Sequence, residues 1–532
     1  MLRCLFTFIP FLFICALLPA QAETTVPYVE FGPNLGQKRF SHLNKFLTSD
    51  GSGGVYALQA VAKKGGLAYD FAIGHYDREM RLKESVPVAR DDKSFEDAFA
   101  LGDQLVVLSS STDKRAKKHN LYATVYHRES LKPSGQPQLV LSAPQPTGLM
   151  NKMYKTSAPK RFTIKLTPDS SQLVIVHNGA LPVGGMKVFP PKKNPGSVTV
   201  AVLNSELETV WQQHYELPVT DYAFALSDIA TDNSGAVSLL YSYKARGSRH
   251  RQQGDGMRNA YFQLWHLSGK DGALSSLDLD AEGHSLGSLS LAAAPSGNRI
   301  AVAGYFGEKA SPSAAMGTAS FLVNPLDMGG TTTRFQDFST EILHPSKKEK
   351  AKSIPSLFVF RSKLSDEGEL LLLGEQRSLE PSRNGSSFAA ITYDDIVFSQ
   401  LSGDVGEQVN VRVRKQQKTQ ADAVFASAAV LFSKMGTILL FNDHKANVNR
   451  APDEKIMPFH YYHSDMVTVM VTIGEDGSQE KELLFTGEET DAFLRPDLVN
   501  LQPNGEILAF AHWKKMHLLL RITVPELTAS SR

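Results

Sequence analysis

Two stretches of the chain carry the side chains best suited to chemistry, at residues 374–417 and 441–448. Together they supply carboxylate, amide and imidazole groups next to predicted strands. The predicted ligand-binding residues of these stretches are Glu375, Gln376, Asp394, Asp395, Asn442, Asp443 and His444. Because Ca²⁺ and Mg²⁺ prefer oxygen ligands, four of these carboxylates could bind such an ion: Glu375, Asp394, Asp395 and Asp443. Alternatively, burial could separate the pKa values of two carboxyl groups and so provide an acid and a base.

The same polar residues also have a structural interpretation, which the sequence leaves open. Polar side chains at strand ends often satisfy nearby backbone groups or tie neighbouring elements together. Lys415, at the end of a later strand, could form an ion pair with one of the carboxylates. His177 and His512 also follow strands, and each could be a ligand or a hydrogen-bonded structural residue. Trp513 could stack on a sugar ring or pack against a neighbouring strand.

The elements that must position these residues are repeated strands. A turn containing Gly or small polar residues leads into a short apolar run, and this pattern recurs about eight times. The apolar residues that follow the turns include Val55, Leu105, Leu173, Val237, Ile300, Leu370, Ile438 and Ile507. After a first interval of 50 residues, the spacing stays between 63 and 70 residues. This period predicts an all-β fold, a β-propeller, because a β-helix has a shorter period and sandwiches do not keep a fixed one.

Each repeat accommodates four strands, named A to D from the centre of the ring outwards, which predicts eight four-stranded blades. Seven blades is the alternative, because residues 26–110 match the repeat least well. The last repeat lacks a strand D, whereas residues 26–31 form a strand without a repeat of its own. Pairing of residues 26–31 with residues 517–524 would close the ring and cover two exposed edges. The predicted propeller domain comprises residues 23–532.

The two faces of such a ring are expected to differ. The A–B turns are tight and lie on one face, whereas the B–C connections lie on the other. Long B–C connections are predicted at residues 178–197, 244–259, 306–318, 376–388 and 445–460, and they contain 14 Lys or Arg against 5 Asp or Glu. Binding usually resides in long loops on a rigid scaffold, so the B–C face is the predicted working face. An anionic polysaccharide or another envelope protein is the expected partner, and nucleic acid is not indicated because aromatic residues do not alternate with the basic ones.

The N-terminus has the features of a secretory signal. Arg3 precedes an apolar run, and the small residues around Ala22 predict cleavage after that residue, so residues 1–22 are the expected signal peptide. Both cysteines, Cys4 and Cys15, lie within it, which leaves no thiol for a disulfide or a metal in the mature chain. The charges nearly balance, with 56 Lys and Arg against 55 Asp and Glu. These features predict an exported protein, in the periplasm or the medium.

Known catalytic motifs are missing. No G-x-S-x-G elbow appears in a strand–turn–helix context, no H-E-x-x-H helix offers a zinc site, and no P-loop is present. The A–B turns also lack the aromatic residue of sialidase Asp-boxes, and three Trp residues are too few for regular Trp docking between blades. The sequence therefore favours a protein that is not an enzyme, although propeller active sites can be assembled from scattered loops.

Three segments resemble a known group of proteins: GEQRS at 374–378, TYDDIVFSQLSGDVGEQVNVRVRKQQ at 392–417 and FNDHKANV at 441–448. They are similar to segments of uncharacterised exported bacterial proteins with propeller-like repeats. The match covers about residues 355–450. The resemblance implies a β-propeller fold and export, and it implies no activity.

Three hypotheses of function follow. The leading one is an exported binding or scaffold protein with a ligand or metal site on the B–C face. On that hypothesis, replacing Asp395 and Asp443 with Ala would remove binding with little change in melting temperature. The second is a carbohydrate-active hydrolase or lyase that uses the same carboxylates on an anionic glycan. The third is a structural envelope protein without a small ligand.

Overall fold

The structure is a computed structural model that describes most of the chain. The described residues are 26–36, 42–62, 69–88, 92–145, 161–179, 197–216, 222–245, 260–308, 311–344, 351–381, 388–402, 408–419, 423–451, 454–460, 463–525 and 527. The predicted signal peptide and most of the connections at 178–197 and 244–259 lie outside them. No helix among the described residues has the length and apolar character needed to cross a membrane.

The first four blades are antiparallel sheets whose strands follow one another in chain order. Blade 1 comprises β2 (His42–Ser49), β3 (Val55–Ala62), β4 (Tyr69–Tyr76) and β5 (Leu82–Pro87). Blade 2 comprises β6 (Ser94–Leu101), β7 (Gln104–Asp113), β8 (Lys118–His127) and β9 (Gln138–Pro144). Blade 3 comprises β10 (Phe162–Leu166), β11 (Leu173–Asn178), β12 (Ser197–Leu203) and β13 (Thr209–Glu216). Blade 4 comprises β14 (Tyr222–Thr231), β15 (Val237–Ala245), β16 (Ala260–Leu267) and β17 (Leu274–Asp278).

The second half of the ring repeats this order. Blade 5 comprises β18 (Ser285–Ala293), β19 (Ile300–Glu308), β20 (Ser311–Val323) and β21 (Thr332–Asp337). Blade 6 comprises β22 (Leu357–Leu364), β23 (Leu370–Pro381), β24 (Phe388–Leu401) and β25 (Gln408–Val413), with the short β26 (Gln417–Thr419) added to β24. Blade 7 comprises β27 (Ala429–Ser433), β28 (Gly436–His444), β29 (Met466–Ile473) and β30 (Gln479–Thr486). Blade 8 contains β31 (Phe493–Leu501), β32 (Ile507–Trp513) and β33 (Met516–Thr523).

Within the described ranges, helical structure is confined to single turns between strands. The α-helical turns are α1 (Thr340–Leu343) and α2 (Gly487–Thr490), and the 3₁₀ turns are Ala423–Phe425, Lys445–Asn447 and His463–Asp465. The structure thus confirms an eight-bladed, all-β propeller, and the seven-blade alternative is wrong. The short first interval belongs to a complete four-stranded blade, β2 to β5.

The N-terminal strand closes the ring, as predicted. β1 (Tyr28–Phe31) pairs antiparallel with β33 and becomes the outer strand of blade 8, with Tyr28 opposite Thr523 and Phe31 opposite Leu520. Two further backbone hydrogen bonds extend the contact, from Gly32 N to Leu519 O (2.9 Å) and from Leu35 N to His517 O (3.0 Å). The last blade is therefore built from both ends of the described chain, and no open sheet edge remains on β33.

The hydrophobic core lies between blades, and strand B contributes to both sides. In β11, Leu173 and Ile175 pack into the core shared with blade 2. Val174 and Val176 point the other way, into the core shared with blade 4. Successive side chains of a strand face opposite sides of the sheet, so a strand packed on both sides must be apolar throughout. This explains the continuous apolar runs that mark each repeat.

The A–B turns are short and are connected from blade to blade. Asp169 N donates to Asn233 Oδ1 (3.0 Å), which links the turns of blades 3 and 4. Asn233 N donates to Pro295 O (2.9 Å), and Ser296 N donates to Asp366 Oδ1 (2.9 Å), which extends the series to blade 6. The A–B face is therefore braced by direct hydrogen bonds between its turns.

The B–C side differs in part from the prediction. The predicted irregular connection at 306–318 is largely a hairpin, because β19 and β20 stay paired as far as Glu308 and Ser311. The connection at 376–388 is likewise shortened by β23 and β24, which pair out to Pro381 and Phe388. In both blades, strands B and C continue as a two-stranded hairpin beyond the rest of the four-stranded sheet. Long hairpins thus replace loops in these two blades.

Gly297 provides a test of the turn geometry. Its φ of +75° lies in the left-handed region, and an added Cβ would come within 2.3 Å of Asp232 Oδ2 in the turn of blade 4. Asp232 cannot move away easily, because it is buried and its other oxygen accepts from Ser234 N (2.9 Å) and Ala236 N (3.0 Å). Gly297→Ala should therefore lower the free energy of unfolding by about 1–2 kcal/mol for backbone strain, with about 1–3 kcal/mol more for the clash.

Gly283 is the matched control, because its φ is +82° and an added Cβ would meet nothing within 4 Å. Gly283→Ala should lower the free energy of unfolding only by the contribution of backbone strain, about 1–2 kcal/mol. Urea unfolding of both variants measures the difference. Equal losses would show that the turns of blades 4 and 5 do not press together as described.

Candidate functional site

The predicted polar residues come together in blades 6 and 7, and most of them are buried. Glu375, Asn442 and Asp443 are 0% exposed, and Asp395 is 5% exposed. Asn442 and Asp443 lie near the end of β28, strand B of blade 7, as predicted. Glu375 and Asp395 instead lie in the middle of β23 and β24, because both strands continue beyond their predicted ends. Charged groups in such positions must have partners, because removing a charge from water without compensation is costly. The identity of those partners decides what the cluster can do.

Glu375 is paired with cations from its own blade. Lys415 Nζ lies 2.7 Å from one carboxylate oxygen, and Arg377 Nε lies 2.8 Å from the other. Ser427, which precedes blade 7, donates its hydroxyl to the same carboxylate at 2.8 Å. Lys415 is itself buried and also donates to Tyr393 O (3.1 Å) and Gln417 Oε1 (3.2 Å). Glu375 and Lys415 thus form a fully buried ion pair with additional hydrogen bonds.

Asp395 has a separate set of donors. Arg412 Nε and Arg414 Nε lie 2.8 and 3.1 Å from Asp395 Oδ2, and Lys415 N donates to Oδ1 at 3.0 Å. Gln376 accepts from Arg412 at 3.3 Å and donates to Pro355 O at 3.2 Å. Asp394 is half-buried in β24, where the pairing with β23 is irregular. The predicted residues of blade 6 are therefore held by arginines from β25 and the segment after it.

Asn442 joins three blades. Its amide group donates to Phe425 O (2.9 Å) and to Leu494 O in blade 8 (2.8 Å), and its oxygen accepts from Leu494 N (3.1 Å). Gln417, which follows blade 6, donates to the backbone oxygen of Asn442 at 2.7 Å. One buried amide therefore satisfies backbone groups on both sides of blade 7. This arrangement is a structural tether.

Asp443 fixes the segment that follows β28. Lys481 Nζ lies 2.7 Å from Oδ2, and Asn447 donates to Oδ1 at 2.8 Å. Asn447 also bonds both backbone groups of Met457, at 2.8 Å each. His444 accepts from Ala446 N at 3.0 Å and caps the 3₁₀ turn that follows. These contacts hold the long connection of blade 7 in one conformation.

The geometry favours the structural interpretation of the cluster. The carboxylates of Glu375, Asp395 and Asp443 each face protein cations, and among the described residues no group of three or more His, Cys, Asp or Glu is arranged to hold a metal ion. A buried, ion-paired carboxylate is also not accessible to a glycan in solution. Replacing Asp395 or Asp443 with Ala should therefore reduce stability, in contrast to the sequence-based expectation, because the cations would lose their partner.

His177 forms a pair with a residue that the sequence did not suggest. His177 is 1% exposed, and its Nε2 lies 3.2 Å from Nδ1 of His119 in blade 2. The ring of Phe162 contacts both imidazoles. Burial lowers the pKa of His177 to about 3 and that of His119 to about 4, with the nearby charge of Arg161 acting in the same direction. Both histidines are therefore neutral near pH 7 and connect blades 2 and 3.

His512 and Trp513 pack against apolar rings. The ring of His512 lies 4.7 Å from that of Phe425 and stacks on His517 at 5.5 Å. Trp513 meets Phe493 edge-on at 4.8 Å. The indole is thus engaged with the core between blades 7 and 8, as in the packing alternative. His512 lies far along the chain from the residues of blade 6, and no described contact joins it to Glu375 or Asp395.

The sequence identified the buried polar residues of this cluster but not the side chains that pair with them. Arg412 and Arg414 alternate in β25 and its continuation, which could have suggested one charged face beside Asp395. Lys481 and His119 carry no comparable signal, because they lie 38 and 58 residues from their partners. Their contacts depend on strand pairing and on which blades are neighbours.

Comparison with known proteins yields structural likenesses at low sequence identity. No family model matches the chain, and no curated protein sequence matches it. The β-propeller domain of the trilobed protease from Pyrococcus furiosus is 11% identical, with a TM-score of 0.35, over 85% of this chain and 97% of that one. The polysaccharide lyase Uly1 is 10% identical, with a TM-score of 0.38, over 82% and 91%. An acylaminoacyl peptidase is 13% identical, with a TM-score of 0.36, over 89% of this chain and 58% of that one. Likenesses this distant carry no argument about activity.

The Glu375–Lys415 pair generates a test of the tether. Lys415→Met leaves a buried carboxylate without its main partner and should lower the free energy of unfolding by about 3–5 kcal/mol. The double variant Glu375→Gln, Lys415→Met should lose clearly less, because no uncompensated charge remains. Lys363→Met, at an exposed lysine of the same blade, is the control and should change stability by less than about 1 kcal/mol. Denaturant unfolding measures all three, and additive losses in the double variant would contradict the pairing.

The histidine pair generates a test in pH. Because the folded-state pKa values lie below the ordinary value of 6.5, the unfolded chain binds more protons than the folded one in mildly acidic solution. The part of the free energy of unfolding that depends on these histidines should be at its maximum above pH 6.5. It should fall as the pH drops toward 4, by up to about 1.4 kcal/mol per pH unit for each histidine. Urea unfolding from pH 7.5 to 4.5 measures this slope.

The slope of the free energy of unfolding against pH should decrease in His119→Gln. It should remain in His127→Gln, which changes an exposed histidine of the same strand. If His119→Gln retained the full slope, the pair would not be the group that titrates.

Proposed function

We propose that this protein is an exported, non-enzymatic binding or scaffold propeller that holds a macromolecular partner on its B–C face. The single observation that carries the proposal is the contrast between the two faces. The A–B turns of blades 3 to 6 are short and hydrogen-bonded to one another. The opposite face presents long hairpins and an elaborate segment in blade 7. A rigid scaffold with projecting segments on one face is the usual arrangement of a binding surface.

The hairpins of the B–C face project as paired strands. β7 and β8 pair out to Asp113 and Lys118 in blade 2, and β23 and β24 pair beyond the point where β25 ends in blade 6. The outer part of the blade 6 hairpin is covered on one side by β26, which pairs with residues 391–393. Paired strands lose less conformational freedom on binding than flexible loops do, which favours association.

The segment between β28 and β29 in blade 7 is also ordered before binding, here by side-chain and backbone hydrogen bonds. Asn447 fixes it through Asp443 and Met457. Phe459 is buried and exchanges backbone hydrogen bonds with the strand after blade 6, from Phe459 N to Gln416 O (2.8 Å) and from Lys418 N to Phe459 O (3.0 Å). The buried polar network therefore supports the surface without contacting a ligand itself. Lys445, Lys455, Met457 and His460 remain exposed on this segment.

The charge of this face suggests an anionic polysaccharide as the partner. The five predicted connections have a clear excess of Lys and Arg, and Lys445 and Lys455 are exposed among the described residues. Basic groups distributed over a face attract a polyanion through long-range electrostatics. Another envelope protein is the remaining partner class, and it would show as binding that does not depend on these charges.

Binding to dextran sulfate, with uncharged dextran as the matched polymer, tests this proposal. The mature protein should bind dextran sulfate but not uncharged dextran, and binding should weaken as ionic strength rises. Lys445→Glu, Lys455→Glu should weaken binding several-fold in biolayer interferometry. Lys270→Glu, at an exposed position in a C–D turn on the opposite face, should not. Equal effects of the two charge reversals, or no binding, would contradict a working B–C face.

A further inference from the structure

We propose that a polar cavity on the A–B face, where blades 8, 1 and 2 meet, binds a small hydroxylated carboxylate of the sugar-acid class. The cavity has a volume of about 380 Å³ and lies between the A–B turns of blades 1 and 8. Its wall includes Thr48, Asp50, Arg128, Gln502, Glu506 and Arg521. This volume falls at the lower end of the range for small-molecule sites. The site is on the opposite face from the proposed polysaccharide surface and does not depend on it.

Gln502 is the first residue that points to a ligand. It is only 8% exposed, and its side-chain amide makes no hydrogen bond within the described part of the chain. Neither amide atom is among the fully buried atoms that lack a partner, so both can hydrogen-bond water or a ligand in the cavity. Thr48 lines the same cavity, and its hydroxyl likewise has no partner among the described residues. A ligand with hydroxyl groups would satisfy both side chains.

Arg128 is the second residue that points to a ligand. Its guanidinium donates to Gly102 O, and it forms no ion pair with any residue that the structure describes. A half-buried guanidinium with one neutral acceptor retains donors for an anion. Arginine binds carboxylates through two parallel hydrogen bonds, which gives strength and orientation.

The other charged groups of the wall are already engaged. Asp50 contacts His75 at 2.9 Å and accepts from Ser52 N (2.8 Å) and Gly54 N (2.7 Å). Arg521 pairs with Glu506 and donates to Gly53 O (2.7 Å) and Arg78 O (2.9 Å). Glu506 also accepts from Asn504 at 2.9 Å. Among the charged groups of the wall, Arg128 therefore has the guanidinium donors that are least engaged by the described chain, and an anionic ligand would use them better than a neutral sugar.

Isothermal titration calorimetry with glucuronate tests the site, with glucose and inorganic phosphate as comparison probes. Glucuronate should bind the mature protein, and glucose and phosphate should bind about tenfold more weakly or not at all. Arg128→Gln should weaken glucuronate binding by about tenfold or more, since it removes a charge-assisted contact. Arg115→Gln, at an exposed arginine on the opposite face of the same blade, should leave binding unchanged.

Gln502→Leu separates binding from folding. It removes an amide that makes no hydrogen bond to the described part of the chain, so the free protein should keep its thermal stability while glucuronate binding weakens. Equal binding of glucose and glucuronate, binding of phosphate alone, or unchanged affinity in Arg128→Gln would overturn the proposal. Absence of glucuronate binding at millimolar concentration would overturn it as well. None of these results bears on the polysaccharide surface, which is probed with a sulfated polymer and with other residues.

Discussion

The structure depends on closing the ring. Every strand B is apolar on both sides because each blade packs against two neighbours, so an incomplete ring would leave an apolar face and an unpaired edge exposed to water. The pairing of β1 with β33 supplies the missing outer strand of blade 8. Arg521 reinforces this junction, since it contacts Glu30 of β1 as well as Glu506 and backbone groups of blade 1. The two ends of the described chain are thereby joined into one cooperative unit.

Closure also explains why several polar side chains of blades 6 and 7 are buried. Blades 6, 7 and 8 meet along strands that end near the B–C face, where backbone groups leave the sheet and need partners. Asn442 supplies them for three blades, and the Glu375–Lys415 pair fills the space between blade 6 and Ser427. Residues that resemble a ligand site in the sequence thus stabilise the scaffold. Asp443 also holds the blade 7 segment in position through Asn447.

The fold could be predicted from the sequence because its signals are local and repeated. Each Gly-containing turn followed by an apolar strand marks one blade, and the orphan strand at 26–31 indicates closure. Glu375, Asn442 and Asp443 could also be placed in neighbouring blades by counting strands. Their partners could not, since Lys481 and Leu494 reach them only through strand register and blade contact. The extended hairpins of blades 5 and 6 were missed because small and polar residues at 311–318 and 376–381 are typical of loops as well as of strands.

We propose that the two faces of the ring have different roles, one bracing the ring and the other contacting a partner. Hydrogen–deuterium exchange with and without dextran sulfate distinguishes these roles. Added protection is expected in the hairpin of blade 6 and in residues 445–460 of blade 7, with unchanged exchange in the A–B turns at 232–236 and 294–299. Protection confined to those A–B turns, with none in blades 6 and 7, would contradict the proposal.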